Sequence, residues 1–397
     1  MRDMDFRAMV AGKLTVVQML PELDEGGVEG ETFDLALYLA AHGHRSLVIS
    51  AGGRLVAQLE KAGCEHIQWP FIGEKSVRCL PSIPKLRTLL RVEHVDVLHL
   101  RSRLPAWVGY LAWKLLAKTQ RPALITTFHG FHSINSYSGI MAKGERVVAV
   151  SAVIRQHILD NYVIDAEKIS VIYGGVDAAF APQVVSADRV QRLRSMWLSG
   201  HEDKPVIMLP GRFTQLKGQD ILIDSLALIK DRDFVCLLVG DTEENPNFTR
   251  KLREQIHVHG LAEKIFLPGH CSDMPAALLL ADVVVSATST KPEAFGKVGI
   301  EAMAMGKPVI ATAHGGSLET IVPGKTGWLV PPLDAQAMAV ALALALDDPQ
   351  QASEMGRQGQ ARVGAQFTAR IMAQKTLALY YDALQDKEQG HRATEPS

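Results

Sequence analysis

The sequence holds only four cysteines, Cys64, Cys79, Cys236 and Cys271, and no two of them form a CxxC pair. That excludes a disulfide scaffold and a zinc or thioredoxin-like site of the usual spacing. Four scattered thiols fit small core residues in a reducing compartment. No run of 18 apolar residues occurs. The longest apolar stretches, around 276–287 and 335–346, are short, and Asp282 breaks the first, so no spanning helix is expected. Charge of one sign is also missing: 42 basic residues against 43 acidic ones leave −1. A globally basic nucleic-acid binder is excluded, although a local patch can hide in that average. The opening residues, MRDMDFRAMVAGK, have no convincing secretory signal, so the expected location is the cytoplasm. Repeats of solenoid period are absent as well.

What is present is an ordinary globular composition, 47% apolar and 21% charged over 397 residues. Such a length suggests about two to three domains. Short runs rich in Val, Ile and Leu alternate with amphipathic stretches. The first series of strand candidates is 14–19, 45–50, 66–69, 96–100, 123–128, 147–150 and 169–172. Consecutive apolar positions mark strands covered on both faces, and alternation with helices implies a parallel sheet. One such helix spans about 29–42, with Phe33, Leu37 and Ala40 on its apolar face. The pattern pauses over 178–204, with Pro182 early in the pause, and restarts at 205–209, 234–239, 264–267, 282–286, 308–312 and 327–330. The expectation is an α/β protein of two doubly wound, Rossmann-like domains facing each other across a cleft. Residues 1–182 form the first and 183–366 the second. A C-terminal helix covers 367–386, and 387–397 is a frayed tail. Ligands of such sheets bind beyond the carboxyl ends of the strands.

Five segments fall at those ends. The segment KPEAFGKVGIEAMAMGKPVIA carries Glu293 and Glu301 eight residues apart, with Phe295 and Gly296 between them. A helix opening near Gly296 would aim free N–H groups and its positive dipole end at a phosphate. The two carboxylates, about 12 Å apart if all eight residues are helical, could hold hydroxyls at the two ends of a sugar–diphosphate–ribose. A solvated helix with an acidic cap reads equally well. In LPGRFTQLKGQ, Arg212 and Lys217 flank a turn and could neutralise a diphosphate, or be two surface cations. In LPELDEGGVEG, Gly26 and Gly27 precede a helix as a phosphate cradle or a plain turn. It is not GxGxxG. In TTFHGFH, His129 at a strand end could meet a sugar hydroxyl or assist a reacting group, though a satisfied polar histidine is commoner. His129 and His132 alone do not make a metal site. Finally, Gly315 and Gly316 follow a strand in a loop that either keeps room for a ligand or is plain.

Together, and in this order, GGVE, FHG, VSAVI, VIYGGVD, GRFTQLKG, PEAFG and GGSLETI resemble the retaining GT-B glycosyltransferases of family 4, through nearly the whole chain. The stretch FHGFHSINSYSGIMAKGERVVAVS is also similar to bacterial transferases of lipopolysaccharide assembly. The resemblance implies transfer of a sugar, with retention, from a nucleoside-diphosphate-sugar to a saccharide or lipid-linked hydroxyl, without metal or other cofactor. UDP-sugars are the commonest donors of such enzymes. It implies that Glu293 binds donor-sugar hydroxyls and that the backbone of Phe295, Gly296, Lys297 and Val298 meets sugar and diphosphate. Glu301 would hold the ribose diol, and Arg212 and Lys217 would clamp the leaving diphosphate. Gly27 would face the donor phosphate, and His129 would stand near the donor sugar and the acceptor. Residues 269–273 would lie near the base, Asp177 would belong to the hinge, and the last helix would return to the first domain. Two departures stand out: Lys297 replaces a common hydrophobic residue, and Gly30-Glu31 follow GGVE where a basic residue is usual.

A nucleotide-sugar epimerase of similar fold is the alternative. A dinucleotide oxidoreductase lacks its fingerprint. A sugar-binding protein without activity would not need both glutamates, the Arg–Lys pair and His129. For the acceptor side, residues 74–121 hold ten basic and three acidic residues, a local charge of +7, with Trp107, Tyr110 and Trp113 in one helix. This reads either as peripheral contact with an anionic inner membrane face or as a buried aromatic face beside a solvated basic one.

Overall fold

A computed structural model describes residues 12–24 and 26–392. All thirteen strand candidates form strands within a residue or two of their expected ends. The first seven are β1 (Thr15–Met19), β2 (Arg45–Ser50), β3 (Glu65–Gln68), β4 (Val97–Leu100), β5 (Ala123–Phe128), β6 (Arg146–Ala149) and β7 (Ile169–Val171). They make one parallel sheet in the order β3-β2-β1-β4-β5-β6-β7. The other six are β8 (Val206–Pro210), β9 (Val235–Val239), β10 (Ile265–Gly269), β11 (Val283–Ser286), β12 (Val309–Thr312) and β13 (Gly327–Val330). They make a second parallel sheet in the order β10-β9-β8-β11-β12-β13. Each order reverses once, between β1 and β4 and between β8 and β11. At such a point the loops leaving two adjacent strands diverge and leave room for a ligand.

The central strands are buried on both faces: Val16, Val17 and Met19 of β1 and Ile207 and Met208 of β8 have no exposed surface. The chain divides into two compact units, Met1–Gly175 with Ala369–Ser397, and Val176–Thr368. The first unit therefore ends at 175, seven residues before the expected boundary at 182, and it takes back the end of the chain. The physical reason is a short pairing that 176 makes far along the sequence. Val176 bridges to Thr368, and its N–H donates to the Phe367 carbonyl at 2.8 Å. Both crossings between units thus lie side by side in the backbone, which no local pattern reveals.

The last helix runs Ala369–Arg392, longer than the expected 367–386, so the start of the expected tail is helical. Its Met372, Ala373, Leu377 and Tyr380 complete the apolar cluster that Leu35 and Leu39 share with Val16, Val97 and Ile125. The helix Gly27–Ala41 consequently buries two stripes. Leu35 and Leu39 face this cluster, while Phe33, Leu37 and Ala40 pack, partly buried, against a second cluster around Leu20, Leu23 and Val48. The four cysteines are free thiols, three of them buried. No helix among the described residues is long and apolar enough to cross a membrane.

Candidate active site

In the second unit the site is assembled where β8 and β11 diverge. Lys217 closes the short turn Gln215–Lys217 after β8, and its Nζ donates to Glu293 Oε1 at 2.5 Å. Their side chains are 25% and 24% exposed, so solvent reaches the pair. Lys217 can lie there because glycines surround it. Its stem packs on Gly211, and a Cβ on Gly218 (φ +69°) would fall 1.9 Å from the Ala287 carbonyl oxygen. The loop after β11 is tied to the Lys217 turn through Ser289, which donates its hydroxyl to the Gln215 carbonyl at 2.6 Å and its N–H to Leu216.

Gly296, at φ +83°, caps the helix Lys297–Ala304. Glu293 lies outside that helix, so the two carboxylates are not separated by eight residues of helix as the spacing suggested. Instead both feel Lys217. Burial pushes the Glu301 carboxyl up to about 7, against the opposing pull of Lys297 and Lys217, and Asp177 adds to the rise. Lys297 Nζ stands 4.0 Å from Glu301 Oε1. The Phe295 ring is buried against Phe367, which leaves only its backbone for a ligand, as does Gly296 by its nature. Val298 is half-buried in the first turn.

Three of the segments are placed in ways the sequence did not indicate. Arg212 does not join Lys217. Its side chain is 73% exposed and stands 3.7 Å from Glu244. Gly315 and Gly316 were open between room for a ligand and a plain loop, and their missing Cβ positions face backbone. A Cβ on Gly315 would lie 2.3 Å from the Glu293 carbonyl oxygen, and one on Gly316 would lie 2.4 Å from the Phe295 Cα. They are small so that the loop after β12 can seat the Glu293–Phe295 backbone, and the Gly316 N–H donates to the Glu293 carbonyl at 2.9 Å. His314 closes the same seat through the Thr288 carbonyl at 3.0 Å. Asp273, in the loop expected near a base, caps the helix Met274–Leu280 and holds Arg189 through two bonds of 2.6 and 2.8 Å.

In the first unit the corresponding divergence lies between β1 and β4. Gly26 is extended before the helix Gly27–Ala41, and its open face is taken by the Glu29 carboxylate, whose Oε2 sits 2.2 Å from where a Cβ would be. A carboxylate thus occupies the positive end of this helix, beside the cradle expected for phosphate. Gly27 has no heavy atom near its missing Cβ among the described residues. His129 follows β5, with its Nδ1 3.2 Å from Glu31 Oε2 and its side chain 10% exposed. Glu31 also receives the Arg101 guanidinium at 3.3 Å. Arg101, which counted toward the basic stretch 74–121, is therefore in the core, with a side chain 2% exposed. Trp107 and Trp113 of that stretch are pinned by donating to the Tyr137 and Pro122 carbonyls. From sequence, Glu31 stood out only as a departure from the usual basic residue after GGVE, and Arg101 only as one charge of the basic stretch. The signal available was a pair of charges following two adjacent central strands.

A family model described as "Glycosyltransferase Family 4" matches residues 25–180, and one described as "Glycosyl transferases group 1" matches 194–362. The chain belongs to the family 4 glycosyltransferases. A crystal structure of a glycosyltransferase from Rickettsia africae ESF-5 is 36% identical and covers 94% of this chain and 99% of its own, with a TM-score of 0.85. The two parallel sheets are accordingly the two Rossmann-like domains of the GT-B fold. Anabaena Alr3699/HepE, solved in complex with UDP and glucose, shares that fold at 24% identity, covering 92% of this chain and 99% of its own, with a TM-score of 0.78. The D-inositol 3-phosphate glycosyltransferase of Jonesia denitrificans is 36% identical over 229 residues, 55% of this chain. The matched stretch spans about half, 52%, of that curated relative's length.

Proposed function

We propose that this family 4 glycosyltransferase moves a sugar from a nucleoside-diphosphate-sugar, a UDP-sugar, to a hydroxyl of a saccharide or lipid-linked acceptor, with retention and without a cofactor. The observation that carries the reading is the partly open Lys217–Glu293 pair beside the Gly296-capped helix and Glu301. In the ligand-free protein each partner neutralises the other. A diphosphate would draw Lys217 to itself and free Glu293 to accept from sugar hydroxyls. The first N–H groups of the helix and Lys217 then stabilise charge that grows on the departing diphosphate. The bond from the anomeric carbon to the diphosphate oxygen breaks, and the acceptor oxygen bonds that carbon on the same face. The acceptor proton passes to the departing phosphate oxygen. Glu301 is assigned to the ribose diol and His129 to the transferred sugar and acceptor. Alr3699/HepE, of the same fold and bound to UDP, supports the choice of base.

A membrane-linked acceptor, as in lipopolysaccharide or other envelope glycan assembly at the inner membrane face, is supported by exposed apolar groups on the basic stretch. These include Val77, Leu80, Leu111 and Leu115. A thermal-shift panel of UDP, GDP and ADP tests the donor. UDP should raise the melting temperature most, since a ligand of the folded state stabilises it by linkage. No shift with any of the three, together with full turnover by Lys217→Ala, overturns the assignment.

A further inference from the structure

We propose that Glu31 and Arg101 are positioning residues that fix one tautomer of His129. The proton sits on Nδ1 and is donated to Glu31, and Nε2 is left as an acceptor for a hydroxyl of the bound sugar or acceptor. The last clause rests on the function proposed above; the tautomer does not. Gln18 Nε2 donates to the Thr32 carbonyl at 3.1 Å, which turns Gln18 Oε1 toward Arg101 Nη1 at 3.3 Å. Arg101 can only donate, and its Nη2 reaches Glu31 Oε2 at 3.3 Å. A carboxylate facing a guanidinium is an acceptor, so the ring nitrogen against the same oxygen, His129 Nδ1 at 3.2 Å from Oε2, must be the donor. A lone pair there would face a lone pair.

A neutral ring with Nδ1–H has a bare Nε2. That atom is buried and without a partner among the described residues. Leaving such an atom unpaired costs stability, which is the expected state of a group that waits for a ligand. The ring is held neutral by its surroundings. Burial lowers its pKa, Glu31 opposes this, and Arg101 reinforces it. The other titratable groups that act across this region, His99 and His132, are likewise held uncharged by burial. Without Arg101 the buried pair of Glu31 and His129 could instead exist as carboxylate and imidazolium, with Nε2 a donor of opposite preference.

Nitrogen NMR of the ligand-free, uniformly 15N-labelled full chain decides this, with His129→Gln identifying the signal. The expected result at pH 7 is a neutral ring with Nδ1 protonated and Nε2 in the range of an unprotonated nitrogen, persisting as the pH falls below 6.5. An imidazolium at pH 7, or a proton on Nε2, overturns the proposal. In Glu31→Gln the side-chain amide can donate or accept, so the Nε2–H form should rise at least tenfold. An unchanged tautomer removes Glu31 from the role. If that variant does not fold, the wild-type spectrum and its titration still decide. The readout needs neither donor nor turnover, so a failed donor assignment leaves it standing and its own failure leaves the donor site untouched.

Discussion

Both sheets reverse strand order once, and at each reversal a cation after one strand meets a carboxylate belonging to the other. Arg101 after β4 meets Glu31 in the helix after β1. Lys217 after β8 meets Glu293 in the loop after β11. The topology is shared, but burial is not. The first pair is 2% and 10% exposed and is bonded onward to Gln18 and His129, whereas the second is 25% and 24% exposed. In low dielectric a pair that is also hydrogen-bonded onward is fixed in place, and breaking it strands a charge. A pair that water reaches is weakly held and can be exchanged for a ligand. One reversal thus holds an imidazole still, and the other offers a lysine.

The sharpest way to break this comparison is to remove the offered pair. Lys217→Ala or Glu293→Ala should lower turnover by about 100-fold or more, the order found when one group stabilising the transition state is lost. The melting temperature should stay close to that of the wild type, and near wild-type turnover would end the assignment. Next comes stability. Arg101→Met leaves Glu31 buried without its cation and should cost about 3–5 kcal/mol. Lys217→Met should cost about 1 kcal/mol or less. Denaturant unfolding of the two variants measures both, and equal losses would erase the distinction.

A third effect is a difference in pH response. His99, His129 and His132 stay neutral in the folded first unit, His132 with its pKa lowered to about 4. The unfolded chain takes up protons first, so these groups lose stability as pH falls below about 6.5. Glu301 works in the opposite direction. Its folded pKa, about 7, lies above the unfolded value, so its contribution is fully present below about pH 4.5 and lost as pH rises through 7. Amide exchange followed at pH 7.5 and 5.5 should show protection falling in the first unit relative to the second on acidification, and Glu301→Gln should remove the second unit's share. The smallest expected effect is at Arg212. Being 73% exposed and apart from Lys217, its replacement by Ala should change turnover by about twofold and stability by about 0.5 kcal/mol or less. A loss matching that of Lys217→Ala would restore the two-cation clamp.

The sheets were legible because most buried parallel strands are written as runs rich in Val, Ile and Leu, as in VIMLP of β8 and VCLLV of β9, and their regular alternation with helices placed the poorer ones, such as EHIQ of β3. Lys217, Gly296, Glu293 and Glu301 were legible because they cluster at strand ends in few residues. What was not legible depends on pairs distant in sequence. Arg101 and Glu31 are 70 residues apart, and an arginine in LHLRSR gives no sign of being buried. For Gly315 and Gly316 both readings stayed open, because sequence cannot tell a glycine that faces a ligand from one that faces backbone. The domain edge was misplaced because Val176 finds its partner at Thr368.

The return of the last helix has a consequence for synthesis. Residues 12–175 leave the ribosome long before Tyr380, whose hydroxyl bonds the buried His99 at 2.6 Å. Until that tyrosine arrives, His99 and the apolar face of the helix Gly27–Ala41 have no cover. The second unit, continuous from Val176 to Thr368, can close while the first is still waiting. The half of the protein made first is therefore the half finished last, and a ribosome that stops short of residue 369 releases a complete second unit joined to an incomplete first one.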